Sequence, residues 1–494
     1  MPSNRTWEDP TAAGGRAVGP RARLAALVRL LRKHLGITIL IGLGVLLRAL
    51  FMVGYPPAFW FMGDSGNYII MTYAPLEPHL QRPLGFVVML RALRPTGTLV
   101  AVAAFQHLLS LLVALGVYLL LQRRGVPRWL SCLAAAPVLF DSLMLTMGHY
   151  LLPDMLFTAL FAAAVGTLLW SPRPGAPASV SAGLLIAAAW FTKPTALPVA
   201  LLLGLYLLIR RAGWRCFVGY AVAFLVPYVG VLAWVGDRPS VYGSQSGTAL
   251  YGRTAIIADC ARLKLTPEQR IACPDQPLGQ RWDRADAFYW RRPDRMSDAW
   301  MAAPEGRKAL TGFSLEVIRQ QPLDYLAIVA KESAAHFVPG LYLGPMNECL
   351  RERLVPPTSF RARAHVRDLC PPAQAGPDFH AAPIVPNRAA VATPLTRTLH
   401  TYGEYARQIP IVLSLAVLIT FAALVARRRV PRRIRLDALL LVLAGPGLAI
   451  FTVAIGMYEP RYALPALPLA AVAAALGWHG LAHRTGTRGG RNTG

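Results

Sequence analysis

The hydrophobic positions of this chain fall in long blocks. Runs of Leu, Val, Ala, Ile and Phe recur near 36–55, 98–121, 129–147, 154–170, 180–193, 194–210, 216–235, 409–426, 436–455 and 462–481. A helix crosses a bilayer with about 20 apolar residues and satisfies its own backbone hydrogen bonds there. The pattern predicts an all-α polytopic membrane protein with about ten transmembrane helices, those between 129 and 210 being short and closely spaced. Arg82 to Arg91 is apolar with basic ends and too short to cross, which predicts an interfacial helix. From Arg21 to Leu35, Leu24, Leu27, Val28, Leu31 and Leu35 share one helical face and Arg29, Arg32 and Lys33 lie off it, again an interfacial pattern. Residues 1–20 are polar with Gly and Pro, expected to be disordered, and show no cleavable signal pattern.

The connections between blocks set the orientation. Gln122 to Arg128, Ser171 to Ser179, Arg210 to Arg215, Arg427 to Arg435 and His483 to Gly494 are basic or lack acids. With the basic amino terminus they mark the cytoplasmic side. The other side then holds the loop around Asp64, the turn from Gly148 to Asp154, the long region 236–408 and Met457 to Tyr462. The expected organisation is a cytoplasmic tail and interfacial helix (1–35), a transmembrane core with outer loops (36–235), a mainly helical extracytoplasmic domain (236–408), C-terminal transmembrane helices (409–482) and a cytoplasmic tail (483–494). Within the outer domain Phe313 to Phe337 reads as helix broken near Pro322. Four of the six cysteines lie there, and an even number on the outer side suggests disulfides. Of the three connectivities, local pairing of Cys260 with Cys273 and Cys349 with Cys370 is expected. Cys132 and Cys216 read as packed thiols.

Composition sharpens the class. Only 15% of the 494 residues are charged and 54% are hydrophobic, against about 25% charged in soluble domains. The net charge of +26 could suggest nucleic acid, but the arginines cluster at the ends of apolar blocks, where they act as topology signals. Only Lys33, Lys193, Lys264, Lys308 and Lys331 are lysines. The Ala, Arg, Gly, Pro and Leu bias suggests a GC-rich bacterial source. No CxxC pair, zinc spacing, Walker loop or GxSxG elbow is present.

The chemistry-bearing residues gather on the outer side. Asp64 sits in Gly63-Asp64-Ser65-Gly66-Asn67-Tyr68, just past the first block, where glycines allow close backbone approach to a ligand. An ordinary polar turn is the competing reading. Asp154 follows Pro153 at the entrance to a span, with His149 and Tyr150 before it; a helix N-terminal carboxylate is the plainer account. Lys193 lies at an outer span end, where positive-inside logic does not explain it, although snorkelling would. Arg461, in Glu459-Pro460-Arg461-Tyr462, reads as a phosphate clamp or as the partner of Glu459. Arg48 and Asp141 lie inside apolar blocks, Arg48 as a snorkelling or paired residue and Asp141 as a satisfied or a functional acid. His79 and Arg82 read as accessory, His336 and Tyr342 as structural. Two carboxylates and two cations around a lipid bundle suit sugar transfer from a lipid phosphate: a carboxylate takes the acceptor proton and a cation stabilises the leaving phosphate.

Three segments carry a family resemblance. Gly63 to Tyr68 resembles a first-loop acidic motif, Tyr150-Leu151-Leu152-Pro153-Asp154-Met155-Leu156-Phe157 a second-loop acidic motif, and Arg461-Tyr462-Ala463-Leu464-Pro465 a late Arg-Tyr-x-x-Pro segment. Their order and shared side resemble the GT-C membrane glycosyltransferases, especially the protein O-mannosyltransferase and aminoarabinose-transferase type and their actinobacterial relatives, over about 36 to 480. The outer domain matches no known member. The resemblance implies an inverting transferase of the cell membrane, acting on the outer face with a polyprenyl-phosphate sugar donor and a glycan, lipid or protein acceptor of the cell envelope. It implies Asp64 as base, Asp154 shaping the site or binding an optional divalent cation, and Lys193, Arg461 and Tyr462 at the carrier phosphate, with His149, Tyr150 and Arg82 accessory. The first loop carries one acid where the mannosyltransferases carry an adjacent pair, which leaves metal and acceptor open. The alternative is a transporter or lipid-linked-sugar flippase, against which stand the lack of an internal repeat and the clustering of polar residues at one face.

Overall fold

The computed structural model describes residues 29, 31–238, 240–243, 246–290, 293–358, 374–375 and 392–482. Residues 21–28 and 30 of the expected interfacial helix lie outside these residues, as do the tail from His483 and Cys370 with its expected pairing to Cys349.

The described chain is nearly all helix. In order it forms α1 (Leu35–Gly54), β1 (Phe59–Trp60), α2 (Met62–Tyr73), α3 (Gly85–Leu93), α4 (Leu99–Arg123), α5 (Arg128–Phe140), α6 (Ser142–His149), α7 (Asp154–Leu169), α8 (Ala176–Thr192), α9 (Leu197–Ile209) and α10 (Trp214–Val235). The long region after α10 contributes α11 (Ser246–Ala255), α12 (Ala285–Trp290), α13 (Pro304–Gln320), α14 (Pro322–Ala334) and α15 (Pro345–Arg353), besides shorter turns. After β2 (Gln374–Ala375), which pairs antiparallel with β1, come α16 (Pro394–Tyr405), α17 (Ile409–Val425), α18 (Arg432–Ala444), α19 (Pro446–Ile455) and α20 (Ala466–Ala482).

Among the described residues, five helical stretches are long and apolar enough to cross a membrane: Leu35–Gly54, Leu99–Arg123, Trp214–Val235, Pro394–Val425 and Arg432–Ile455. A sixth is formed if α5 and α6 are one span bent by 46°. The chain is therefore a multi-pass membrane protein. The other predicted blocks are helices too, but shorter ones: Asp154–Leu169, Ala176–Thr192, Pro194–Ile209 and Ala466–Ala482. The bend falls at Asp141. Its Oδ1 caps α6, accepting from the amides of Leu143 and Met144, and its Oδ2 accepts from those of Gln408 and Ile409. This buried acid is thus fully engaged in joining the break to the start of α17. Arg48, expected to snorkel or pair, stays buried and donates to Ser110 Oγ and to the carbonyls of Gly44 and Leu139.

Helix packing brings the loops around Asp64 and Asp154 together. α8 packs on α10 and on α7, and α20 packs on α17 and α18. Gly183 permits the first contact: a Cβ there would lie 2.5 Å from the carbonyl oxygen of Tyr220 on α10. In the outer region the helix does break at Pro322, between α13 and α14, and Cys260 is bonded to Cys273. A separate apolar cluster built on Tyr251, Phe288, Leu310 and Phe313 holds α11, α12 and α13.

Candidate active site

The two acidic loops are tied to each other by backbone. Leu151 donates its amide to the carbonyl of Phe59 at 2.9 Å, and Phe59 bridges Tyr150. Ser65 Oγ accepts from the amide of Phe61 at 2.8 Å and donates to the carbonyl of Leu151 at 3.0 Å. The serine of the Gly-Asp-Ser-Gly stretch is therefore a structural tie that fixes Asp64 against the loop leading to Asp154.

Helix ends favour each charge where it stands. Asp64 lies in the first turn of α2 and Asp154 in the first turn of α7, where the positive end of the helix dipole stabilises a carboxylate. Lys193 caps the C-terminal end of α8, the complementary position for a cation. α3 then starts against that same end. A Cβ on Gly85 would lie 2.4 Å from Thr192 Oγ1 and 2.8 Å from Thr192 Cα. Only a glycine allows this approach, and it brings Arg82 to the cluster.

The result is a chain of ion pairs. Arg82 Nη2 donates to Asp64 Oδ1 at 2.6 Å, and Lys193 Nζ to Asp154 Oδ1 at 2.6 Å. Arg461 stands between the acids, 3.6 Å from Asp64 Oδ2, 3.6 Å from Asp154 Oδ2 and 3.2 Å from Glu459 Oε1. Glu459 is paired in turn with Arg284 at 3.3 Å, and Arg284 with Asp286 at 2.9 Å. Burial opposes charge on Arg284, but Glu459 and Asp286 outweigh it and hold the guanidinium protonated more firmly than usual. Aromatic faces complete the setting. The Arg461 guanidinium lies 4.5 Å from the centroid of Phe61, and Lys193 Nζ lies 5.0 Å from that of Tyr462, within cation–π range.

Asp64, Tyr68, Arg82, Lys193, Arg461 and Tyr462 all line one cavity of about 230 Å³, together with apolar residues such as Phe157, Leu448 and Pro465. Asp64 keeps 24% of its side-chain surface exposed, whereas Asp154 keeps 1%. Asp154 Oδ2 is buried without a hydrogen-bond partner and faces the Arg461 guanidinium at 3.6 Å. Among the described residues, no group of three or more His, Cys, Asp or Glu side chains is placed to hold a metal ion.

The five expected residues Asp64, Asp154, Lys193, Arg461 and Tyr462 thus meet, and Arg82, read as accessory, bonds Asp64 directly. His149 and Tyr150 do not line the cavity. The His149 ring contacts His107 and the carbonyl of Tyr55, and the Tyr150 hydroxyl donates to the carbonyl of Arg353. Both pack the layer behind the acids. Sequence reasoning missed Arg284 and Asp286, which no spacing connects to Arg461. Glu459 was visible two residues before Arg461, and the structure makes it a bridge as well as a partner.

No family model and no curated protein matches the sequence. Solved structures do resemble the fold. They include the archaeal oligosaccharyltransferase AglB from Archaeoglobus fulgidus in complex with an inhibitory peptide and a dolichol-phosphate: 13% identity, TM-score 0.45, covering 91% of this chain and 50% of that one. The Pmt1-Pmt2 protein O-mannosyltransferase complex of S. cerevisiae, bound to the sugar donor, matches at 16% identity and TM-score 0.34 over 53% of this chain and 40% of that one. ArnT from Cupriavidus metallidurans, bound to undecaprenyl phosphate, matches at 13% identity and TM-score 0.33 over 90% of this chain and 77% of that one. The chain spans half the length of the archaeal enzyme. At such scores these stand as similarities, and the chemistry has to be read from the site itself.

Proposed function

We propose that the chain is a GT-C-type inverting glycosyltransferase of about ten spans, moving a sugar from a polyprenyl-phosphate donor to a cell-envelope acceptor on the extracytoplasmic face. The observation that carries this reading is the shared cavity: a partly exposed carboxylate, Asp64, faces the same space as Lys193 and Arg461. Asp64 takes the proton from the acceptor hydroxyl as its oxygen bonds the anomeric carbon. The bond from that carbon to the phosphate oxygen breaks, and its electron pair leaves with the phosphate. Lys193 and Arg461 stabilise the charge that develops there, so no acid is needed for the leaving group. Tyr462 orders the two cations through its ring, and Asp154 holds Lys193 in place. Arg82 occupies one oxygen of Asp64, so acceptor entry exchanges that bond for one to the hydroxyl. The apolar part of the cavity, at Phe157, Leu448 and Pro465, suits the first unit of an isoprenoid chain. The clustering of the polar groups at one end of the bundle supports an enzyme over a flippase.

The test is transfer by purified protein in detergent. The donors are polyprenyl-phosphate mannose, arabinofuranose, glucose and aminoarabinose, each run beside Asp64→Asn. We expect transfer or slow donor hydrolysis with one donor, lost in the variant at normal expression. Turnover by Asp64→Asn equal to that of the unaltered chain would remove Asp64 as base. A chain that neither cleaves nor binds any donor is no glycosyltransferase of this type.

A further inference from the structure

A second cavity, of about 240 Å³, adjoins the first. The two share Gln81, Arg82, Ala249, Gly456 and Tyr462 in their walls. Arg82, bonded to Asp64, is one of the residues that stand between them. The far wall is built by the outer region: Thr248 and Gly252 on α11, Asp286 and Tyr289 on α12. α11 and α12 are pressed together at Gly252, where a Cβ would lie 2.4 Å from the carbonyl of Ala285. Gln81 donates to the Tyr289 hydroxyl and ties this wall to the rim of the first cavity.

We propose that the second cavity is the acceptor subsite and that the acceptor is a carbohydrate, held by its hydroxyls; this rests on the glycosyltransferase reading above. Two features weigh against the other acceptor classes. None of the five helices able to cross a membrane contributes to its walls, so a lipid acceptor would find no apolar track for its tail. The described strand pair lies elsewhere, so a peptide would find no strand edge to extend. What the walls do offer is the set a sugar needs. Each carboxylate oxygen of Asp286 carries one bond from Arg284, at 2.9 and 3.0 Å, and has capacity for another from a hydroxyl. The rings of Tyr289 and Tyr462 provide flat apolar faces with a polar edge, and Thr248 and Gln81 add neutral polar groups. From this subsite an acceptor hydroxyl passes Arg82 to reach Asp64. There it gives up its proton, forms the bond to the anomeric carbon and displaces the carrier phosphate, as already written.

The test uses the full chain and whichever polyprenyl-phosphate sugar it cleaves. Manno-, arabino- and galacto-oligosaccharides and a Ser/Thr-containing peptide are the acceptor probes. Three variants are compared with the unaltered chain: Asp286→Asn, which keeps an oxygen for Arg284; Tyr289→Ala; and Thr248→Trp, which fills the cavity without touching the ion pairs. We expect an oligosaccharide to be the acceptor, and its KM to rise roughly tenfold or more in each variant that folds, with the donor KM changing far less. An unchanged oligosaccharide KM in Thr248→Trp, a loss that falls on donor KM, or a peptide as the better acceptor would overturn the assignment while donor cleavage persists. If the unaltered chain cleaves no donor, the glycosyltransferase reading fails and this one with it.

Discussion

Removing Lys193 separates its two roles. In Lys193→Met the side chain keeps most of its length and loses its charge, and Asp154 loses a partner at 2.6 Å. That carboxylate is 1% exposed, and its remaining cation, Arg461, is 3.6 Å away. Breaking a buried pair from one side costs about 3–5 kcal/mol, because the survivor stays buried with its charge. Arg461 softens this, so we expect about 3 kcal/mol. Adding Asp154→Asn removes the stranded charge and should recover about 2 kcal/mol, the coupling expected of direct neighbours. Activity should behave otherwise. If Lys193 stabilises the departing phosphate, its loss costs about 10²–10³ in kcat, and Asp154→Asn returns none of it. The assay is a double-mutant cycle read twice on the same detergent-purified proteins, once by melting temperature and once by donor cleavage. A double variant that regains cleavage along with stability would show Lys193 to be only a partner for Asp154. A single variant that melts like the unaltered chain would refute the buried-pair reasoning.

Three further outcomes follow from the same geometry. Gly85→Ala puts a methyl against the Thr192 backbone at 2.8 Å; we expect about 1–3 kcal/mol of destabilisation and reduced transfer as Arg82 is displaced, whereas Gly63→Ala, with nothing within 4 Å, should melt normally. Replacing Cys260 and Cys273 by serine opens a loop of 13 residues and should cost about 3 kcal/mol, a difference that vanishes when both proteins are melted under reducing conditions. His336 is held neutral by burial, down to about 3, so its contribution to stability is complete above its ordinary value of 6.5 and falls as the pH drops from there toward 3, because only the unfolded chain takes up the proton; the melting temperature of His336→Phe should show a shallower acid slope than that of the unaltered chain.

Block lengths and loop charges were enough to read a helical membrane protein, because lipid demands long apolar helices and little else. They could not reveal how Asp141 is used. An acid inside an apolar block reads as either satisfied or functional, and four backbone amides from two helices satisfy this one at a bend. Those amides come from residues 143, 144, 408 and 409, and no periodicity connects the two pairs. Arg48 is the same case: its partners are carbonyls and a hydroxyl on neighbouring helices.

The candidate site was legible to the extent that it is built from helix ends. Asp64 and Asp154 open helices, Lys193 closes one, and each sits where its sign is favoured by the local dipole. Such positions are visible as charges at the borders of apolar blocks, which is why these residues stood out. Arg82 was read only as accessory and Arg284 not at all, because neither stands at the border of a span. Arg82 reaches Asp64 only because Gly85 lets α3 abut Thr192. Arg284 reaches Glu459 only because the segment that carries it packs against the 457–462 turn. On the proposed reading, the charges at the donor phosphate follow local rules, and those toward the acceptor subsite follow tertiary packing. A chain that kept its border charges and changed its outer helices would on this reasoning keep its donor and change its acceptor, since Asp286 and Tyr289 would be replaced while Asp64, Lys193 and Arg461 stayed.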